Sequence, residues 1–224
     1  MFDNKARKAE RLANRIPDTL TTRGYNAAIG ALIAYGFIIN AIIVALTGDF
    51  FIRMNPIVFL IIYFVSAIAG IIISARSQNP LYSFIGYNLV VLPIGALLSI
   101  ALVGFQGADI LSAMLVTGVV VVVMTILSTI YPNIFLGMGR TLFIGLFVGL
   151  IAEIIATLLG YGGNVFNWFF VILFSLYIGY DWSKAQAYSK TLDNAIDSAL
   201  DIYLDIINLF IRILELMSKS NRRR

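Results

Sequence analysis

Long apolar stretches separated by short polar segments dominate the sequence. A membrane-spanning helix needs roughly 20 predominantly apolar residues, and six runs approach that length with at most one charge each. These six runs are 25–46, 57–75, 81–103, 110–130, 141–160 and 165–180. A seventh run, 198–217, is apolar but contains charged residues. The pattern predicts an all-α integral membrane protein of seven transmembrane helices.

Short connectors leave no room for a soluble domain. We expect a basic cytoplasmic N-terminal segment (1–24), a seven-helix transmembrane domain (25–217) and a basic C-terminal tail (218–224). With seven spans, ten Lys and Arg residues fall on the side of the N-terminus and five on the other side. The positive-inside rule therefore favours a cytoplasmic N-terminus. The basic C-terminal tail fits this rule less well, because seven spans place it outside. Six spans followed by a re-entrant last segment would place the tail inside.

Composition excludes several kinds of chemistry. Of 224 residues, 60% are hydrophobic and 12% charged, and the chain contains neither Cys nor His. Zinc sites, haem ligation and Cys or His catalysis are therefore ruled out, and proton or cation chemistry must use carboxylates. We expect no resident cofactor and no enzymatic activity. The net charge of +4 is explained by contact with anionic lipid, so nucleic acid is not an expected partner.

The seventh run carries polar residues along one helical stripe. They recur at steps of three and four, which places them on one face, and they are Asp197, Asp201, Asp205, Asn208, Arg212 and Glu215. This face must turn toward the bundle interior or a water-filled cavity, because ionisable groups are costly at membrane depth. Asp205 either stabilises helix packing by pairing with a donor on a neighbouring helix, or it is a functional acid. Arg212 is expected to pair with Glu215 or Asn208.

A second acid is predicted beside Asp205. The sixth run has sixteen residues, about 24 Å of helix against a core of about 30 Å, so its helix should continue to Asp181. Both acids then lie near the inner end of the bundle. Two adjacent carboxylates titrate as a unit and attract a hard cation such as calcium. We predict that Asp181 and Asp205 form a pH sensor and a transient calcium site, left incomplete so that the ion can leave.

Other charged residues are candidates for supporting roles. Arg76 ends the second run, where an arginine either latches onto Asp181 or anchors the helix at the inner surface. Glu153, within the fifth run, is either a second acid on the pathway or a hydrogen-bonded interior group. Glu153, Asp201 and Asn208 are candidates for an auxiliary role at the pH sensor and cation site.

Two segments carry a resemblance to a known family. Residues 178–181 read Ile-Gly-Tyr-Asp, and residues 199–210 read Ala-Leu-Asp-Ile-Tyr-Leu-Asp-Ile-Ile-Asn-Leu-Phe. This resembles the last two helices of the transmembrane Bax inhibitor motif family, the Bax inhibitor-1 proteins. The resemblance implies six helices around a central seventh and a pH-sensitive calcium leak sensed by Asp181 and Asp205. It also makes Arg76 similar to the family's latch arginine, which pairs with the acid that corresponds to Asp181. Asp201 departs from the family pattern, in which an uncharged residue is more common at this position.

Two rival functions remain open. An interaction protein that restrains a membrane quality-control protease would require a membrane-protein partner. An intramembrane aspartyl protease also places aspartates on adjacent helices, but the glycines expected before the second aspartate are absent: Ile202, Tyr203 and Leu204 precede Asp205. A bacterial plasma membrane is the expected location and an endoplasmic reticulum membrane the second choice. One copy is expected to suffice, with lipid and calcium as its partners.

Overall fold

The described part of the chain folds into α-helices. The computed structural model describes residues 19–161 and 163–221, so residues 1–18 of the predicted N-terminal segment and 222–224 of the predicted tail lie outside it. The helices within the described ranges are α1 (Thr22–Ile52), α2 (Pro56–Arg76), α3 (Pro80–Ala101), α4 (Gly107–Ile130), α5 (Pro132–Gly137), α6 (Gly139–Leu158), α7 (Asn164–Ala187) and α8 (Leu192–Asn221). An isolated β-bridge joins Thr19 to Thr191.

The first three helices begin at side-chain caps. The Thr21 hydroxyl accepts a hydrogen bond from Gly24 N at 3.1 Å, and the Asn55 and Asn79 side chains accept from backbone N–H groups two residues later. A proline follows each asparagine at the first helical position, where its missing N–H costs no hydrogen bond. These local signals fix where α2 and α3 start.

Within residues 19–161 and 163–221, six helices are long and apolar enough to cross a membrane, which makes the chain an integral membrane protein. They are α1 up to Thr47, α2, α3, α4, α6 and α7. The predicted seventh span lies within α8, which is not among these six. Acidic and basic residues along α8 make it far less apolar than the other long helices.

The last helix is nonetheless well packed. α8 lies against α1, α3, α4 and α7, and it buries both apolar and polar side chains. Tyr203 and Leu209 are fully buried, and Asp193 and Asp205 are more than nine-tenths buried. In contrast, α2 and α6 expose rows of isoleucine, leucine and phenylalanine. The polar helix therefore lies within the bundle, and the apolar helices present the surface suited to lipid.

A glycine pair sets the distance between α2 and α3. A Cβ added at Gly70 would lie 2.5 Å from Gly86 O, and one added at Gly86 would lie 2.6 Å from Gly70 O. Glycine thus permits a close backbone approach, as is common between membrane helices. We expect Gly70→Ala to lower the free energy of unfolding by about 1–3 kcal/mol, measured by denaturant unfolding in detergent micelles.

Gly30→Ala is the matched control for this substitution. Gly30 lies in α1, and an added Cβ there would meet nothing within 4 Å. That variant should be neutral or slightly more stable, because alanine favours helix. If Gly70→Ala were as stable as Gly30→Ala, the close approach would not be a constraint on the fold.

Candidate functional site

Four aspartates line one face of the first half of α8. Asp193, Asp197, Asp201 and Asp205 are spaced four residues apart, so they stack along the helix. The first two bind serine hydroxyls on other helices. Ser83 of α3 donates to Asp193 at 2.6 Å, and Ser74 of α2 donates to Asp197. The other two carboxylates face α7.

Asp181 and Asp205 lie side by side where α7 meets α8. Both are more than nine-tenths buried, and their side chains interact directly. Asp205 Oδ2 is buried and has no hydrogen-bond partner among the described residues. Two ionised carboxylates offer each other only acceptors, so a proton or a cation between them is needed to satisfy the pair. The structure brings together the two acids that the sequence predicted to be adjacent.

Lys184 is the cation beside this pair. Its Nζ lies 2.8 Å from Asp201 Oδ2 and 3.5 Å from Asp181 Oδ1. Lys184 is one of the ten Lys and Arg residues that the predicted topology places on the side of the N-terminus. Its position three residues after Asp181 places both on one helical face. Two further titratable groups lie near the acid pair in the described part of the chain. They are Asp201, which Lys184 also contacts, and Tyr177 of α7.

Arg76 is not in contact with Asp181. It is exposed at the last position of α2, and it has no ion-pair partner in the part of the chain that the structure describes. Ser74 of α2, two residues before Arg76 and buried where Arg76 is exposed, reaches α8 and binds Asp197. In the structure the cation beside Asp181 is Lys184, three residues later on the same helix.

A polar cavity of about 400 Å³ borders the acid stripe. Its lining includes Ser74, Lys184, Asp197 and Asp201, and it extends to Leu204. Leu204 directly precedes Asp205, so the cavity ends close to the acid pair. Charged groups of both signs and a hydroxyl make it suited to water and small cations.

Glu153 is bound elsewhere in the bundle, and Asn208, one turn after Asp205, is exposed. The Glu153 carboxylate accepts two hydrogen bonds from Arg212, one of them 2.8 Å long. Asn167 accepts from Arg212 at 3.0 Å and donates to Glu215 at 2.8 Å. Glu153 is therefore a hydrogen-bonded interior group, and Arg212 pairs with it rather than with Glu215 or Asn208. Asn208 is exposed and donates to a carbonyl of its own helix.

The acid pair supplies few protein ligands for a metal. In the described ranges, no group of three or more Asp or Glu side chains is arranged to hold a metal ion. Calcium usually takes six to eight oxygen ligands. Two carboxylates with nearby water can therefore hold a passing cation only weakly.

Gly179 positions the part of α7 that carries Asp181. A Cβ there would lie 2.6 Å from Phe135 Cδ1, so the aromatic ring of α5 packs directly on the backbone two residues before Asp181. A Cβ at Gly139 would likewise lie 2.7 Å from the Tyr180 ring. These contacts hold the Gly-Tyr-Asp segment against α5 and the start of α6.

Comparison with known proteins gives one family. The family model described as "Inhibitor of apoptosis-promoting Bax1" matches residues 15–222, which is nearly the whole chain. A comparison with individually curated proteins gives no match. The match includes the Gly-Tyr-Asp segment of α7 and the aspartate stripe of α8. The chain therefore belongs to the Bax1 inhibitor family, the Bax inhibitor-1 proteins.

Proposed function

We propose that the protein is a pH-sensitive, calcium-permeable leak channel, with Asp181 and Asp205 as its proton sensor and transient cation site. The observation that carries this proposal is the buried pair of neighbouring carboxyl groups, one of which keeps an oxygen without a hydrogen-bond partner among the described residues. Family membership is compatible with it. Calcium is the transported ion here and not a resident cofactor.

In this proposal α8 is the seventh membrane span and lies at the centre of the bundle. Its packing against α1, α3, α4 and α7 supports that placement, because charged groups in membranes face protein or water-filled cavities. The N-terminus is cytoplasmic by the positive-inside rule. A bacterial plasma membrane is the proposed location, and an endoplasmic reticulum membrane is the alternative.

The sensor works through competition among a proton, Lys184 and a permeating cation. When both acids are ionised, their repulsion favours a cation beside them. Lys184 acts as a tethered cation that contacts Asp181 and Asp201, and a calcium ion entering from the polar cavity must displace it. When one acid is protonated, the pair satisfies itself with a shared hydrogen and holds no cation. Proton concentration therefore sets how the second half of α7 packs against the middle of α8.

We expect Asp181→Asn and Asp205→Asn each to abolish the pH dependence of calcium flux. The purified protein is reconstituted in vesicles containing a calcium-sensitive dye, and flux is recorded between pH 5 and 8. A titrating site changes its protonated fraction by up to about tenfold per pH unit, so the parent flux should vary steeply and the variants should stay nearly flat.

Asp193→Asn is the matched control. Asp193 is a buried acid on the same helix, about 18 Å from Asp205 at 1.5 Å per residue, and an amide oxygen can still accept from Ser83. This variant should keep the parent's pH profile. Unchanged flux and pH dependence in both sensor variants would refute the proposal, as would an equal loss in Asp193→Asn.

A further inference from the structure

The turn that connects α4 to α6 packs against the part of α7 that carries Asp181. The short helix α5 lies within this turn, and Tyr131 before it has φ −122° and ψ 54°, outside the helical region. Pro132 follows Tyr131, and a residue before proline is disfavoured in the helical conformation. We call residues 128–139 the corner. Because α4, α5 and α6 each pack against α7, the corner forms one wall of the groove that holds α7.

Two aromatic rings between the corner and α7 pack directly on glycine backbone. Phe135 is buried, and a Cβ added at Gly179 would lie 2.6 Å from Phe135 Cδ1 and 3.1 Å from Phe135 Cζ. In the opposite direction, the Tyr180 ring lies on Gly139, where an added Cβ would be 2.7 Å from Tyr180 Cε2. Protein interiors are close-packed, so these contacts limit how near α7 can approach the corner.

Two hydrogen bonds join the same part of α7 to the end of α4. Trp182 Nε1 donates to Thr129 Oγ1 at 2.9 Å, and the Ser183 hydroxyl donates to the Ser128 carbonyl at 3.3 Å. Both serines are buried, so water does not compete for the second bond. The two residues before Asp181 and the two residues after it are therefore all in contact with the corner.

Asp181 lies on the opposite face of α7 from these contacts. With 3.6 residues per turn, it is rotated about 200° around the helix axis from Gly179. Its side chain interacts with Asp205 of α8, and α8 is a major packing partner of α7. The helix α7 therefore lies between the corner and α8, with the acid on the α8 side. The distance of α7 from the corner thus determines how far Asp181 reaches toward Asp205.

We propose that Phe135 is a positioning residue that sets the separation of Asp181 and Asp205 through the backbone at Gly179. A methyl group added at Gly179 pushes α7 toward α8 and brings the two side chains closer. A smaller side chain in place of Phe135 lets α7 move toward the corner and draws them apart. The inference rests on the proposed function where it concerns calcium, whereas the spacing of the two helices is independent of calcium.

Disulfide cross-linking measures this spacing directly. The chain has no Cys, so Asp181→Cys together with Asp205→Cys introduces a single pair of thiols. The full-length protein with this pair, in phosphatidylcholine vesicles, is treated with copper phenanthroline, and the bridged fraction is followed by mass spectrometry. Disulfides form only within a narrow range of distances. We expect Gly179→Ala to accelerate bridging and Phe135→Leu to slow it, each by at least about twofold.

The calcium dependence of flux gives a second readout, measured with both acids present. Closer carboxylates attract a cation more strongly, so Gly179→Ala should lower the calcium concentration of half-maximal flux. Phe135→Leu should raise it, and each shift should be about fourfold for a displacement of about 1 Å. Both substitutions disturb packing and lower stability, so shifts of opposite sign distinguish spacing from lost stability. Combining them should return the value toward the parent's, because the methyl group fills vacated space.

Two substitutions in α2, which packs mainly against α3, are the matched controls. Gly70→Ala adds a methyl group at a close backbone contact, and Phe59→Leu shortens a buried aromatic side chain; both should leave the two readouts at the parent's values. Equal bridging rates in every background, including no bridging at all, would overturn the proposal, as would shifts of the same sign in Gly179→Ala and Phe135→Leu. Absence of calcium flux in the parent would instead refute the leak, and the bridging rates would then decide the spacing alone.

Discussion

Replacing Arg212 with methionine should lower the free energy of unfolding by about 3 kcal/mol, because Glu153 would keep its charge in a largely buried position without a cation. The guanidinium makes two hydrogen bonds to that carboxylate and a third to Asn167 at 3.0 Å. It also lies 4.4 Å from the centre of the Phe170 ring, an added cation–π contact. Unfolding of the purified protein in mixed micelles with increasing denaturing detergent measures the loss.

Three variants show whether the unpaired charge causes this loss. Arg212→Met combined with Glu153→Gln should recover part of the stability, because no charge is left buried. Arg212→Lys keeps the charge but loses the two-pronged geometry, so its stability should be intermediate. Arg76→Met removes an exposed arginine and should change stability by less than about 0.5 kcal/mol. Equal effects of Arg212→Met and Arg76→Met would contradict the role of the ion pair.

The helices could be predicted because their signals are local. The predicted run 57–75 matches α2, Pro56–Arg76, since an asparagine cap and a proline mark its start and Arg76 marks its end. The run 25–46 is shorter than α1, Thr22–Ile52, because a helix continues beyond the hydrocarbon core where polar residues begin. Hydropathy measures the thickness of the apolar core and not the full length of the helix.

The partners of individual charges were harder to predict than the helices. Glu153 is the one charged residue of α6 after its first turn, so the sequence gives no amphipathic phase that fixes which face of α6 meets Arg212. The stripe of α8 does have a phase, and for this reason the contact between Asp205 and Asp181 could be predicted from helix period and depth. Arg76 and Lys184 both lie near the C-terminal ends of their helices, and only the packing of α2 and α7 distinguishes them.

If the protein is the pH-sensitive leak proposed above, removing the positive charge of Lys184 should move the midpoint of its pH profile upward. Lys184 Nζ lies 3.5 Å from Asp181 Oδ1, and a cation at this distance favours the ionised acids. Such a pair near a protein surface is worth up to about 4 kcal/mol, and partial exposure of the lysine reduces this by screening. At about 1.4 kcal/mol per pH unit, we expect Lys184→Met to raise the midpoint of the flux profile by about one unit.

The sign of this shift follows from both neighbours of the lysine. Without Lys184 the acids lose a stabilising cation, and Asp201, which Lys184 contacts at 2.8 Å, adds an uncompensated negative charge. Both changes favour protonation at higher pH. Lys184→Arg keeps the charge and should retain the parent midpoint within about half a unit. Lys190→Met removes a lysine that instead binds two carbonyls at the end of α7, and it should leave the midpoint unchanged. A downward shift of the midpoint in Lys184→Met would contradict this role of Lys184. Equal upward shifts in Lys184→Met and Lys190→Met would contradict it as well.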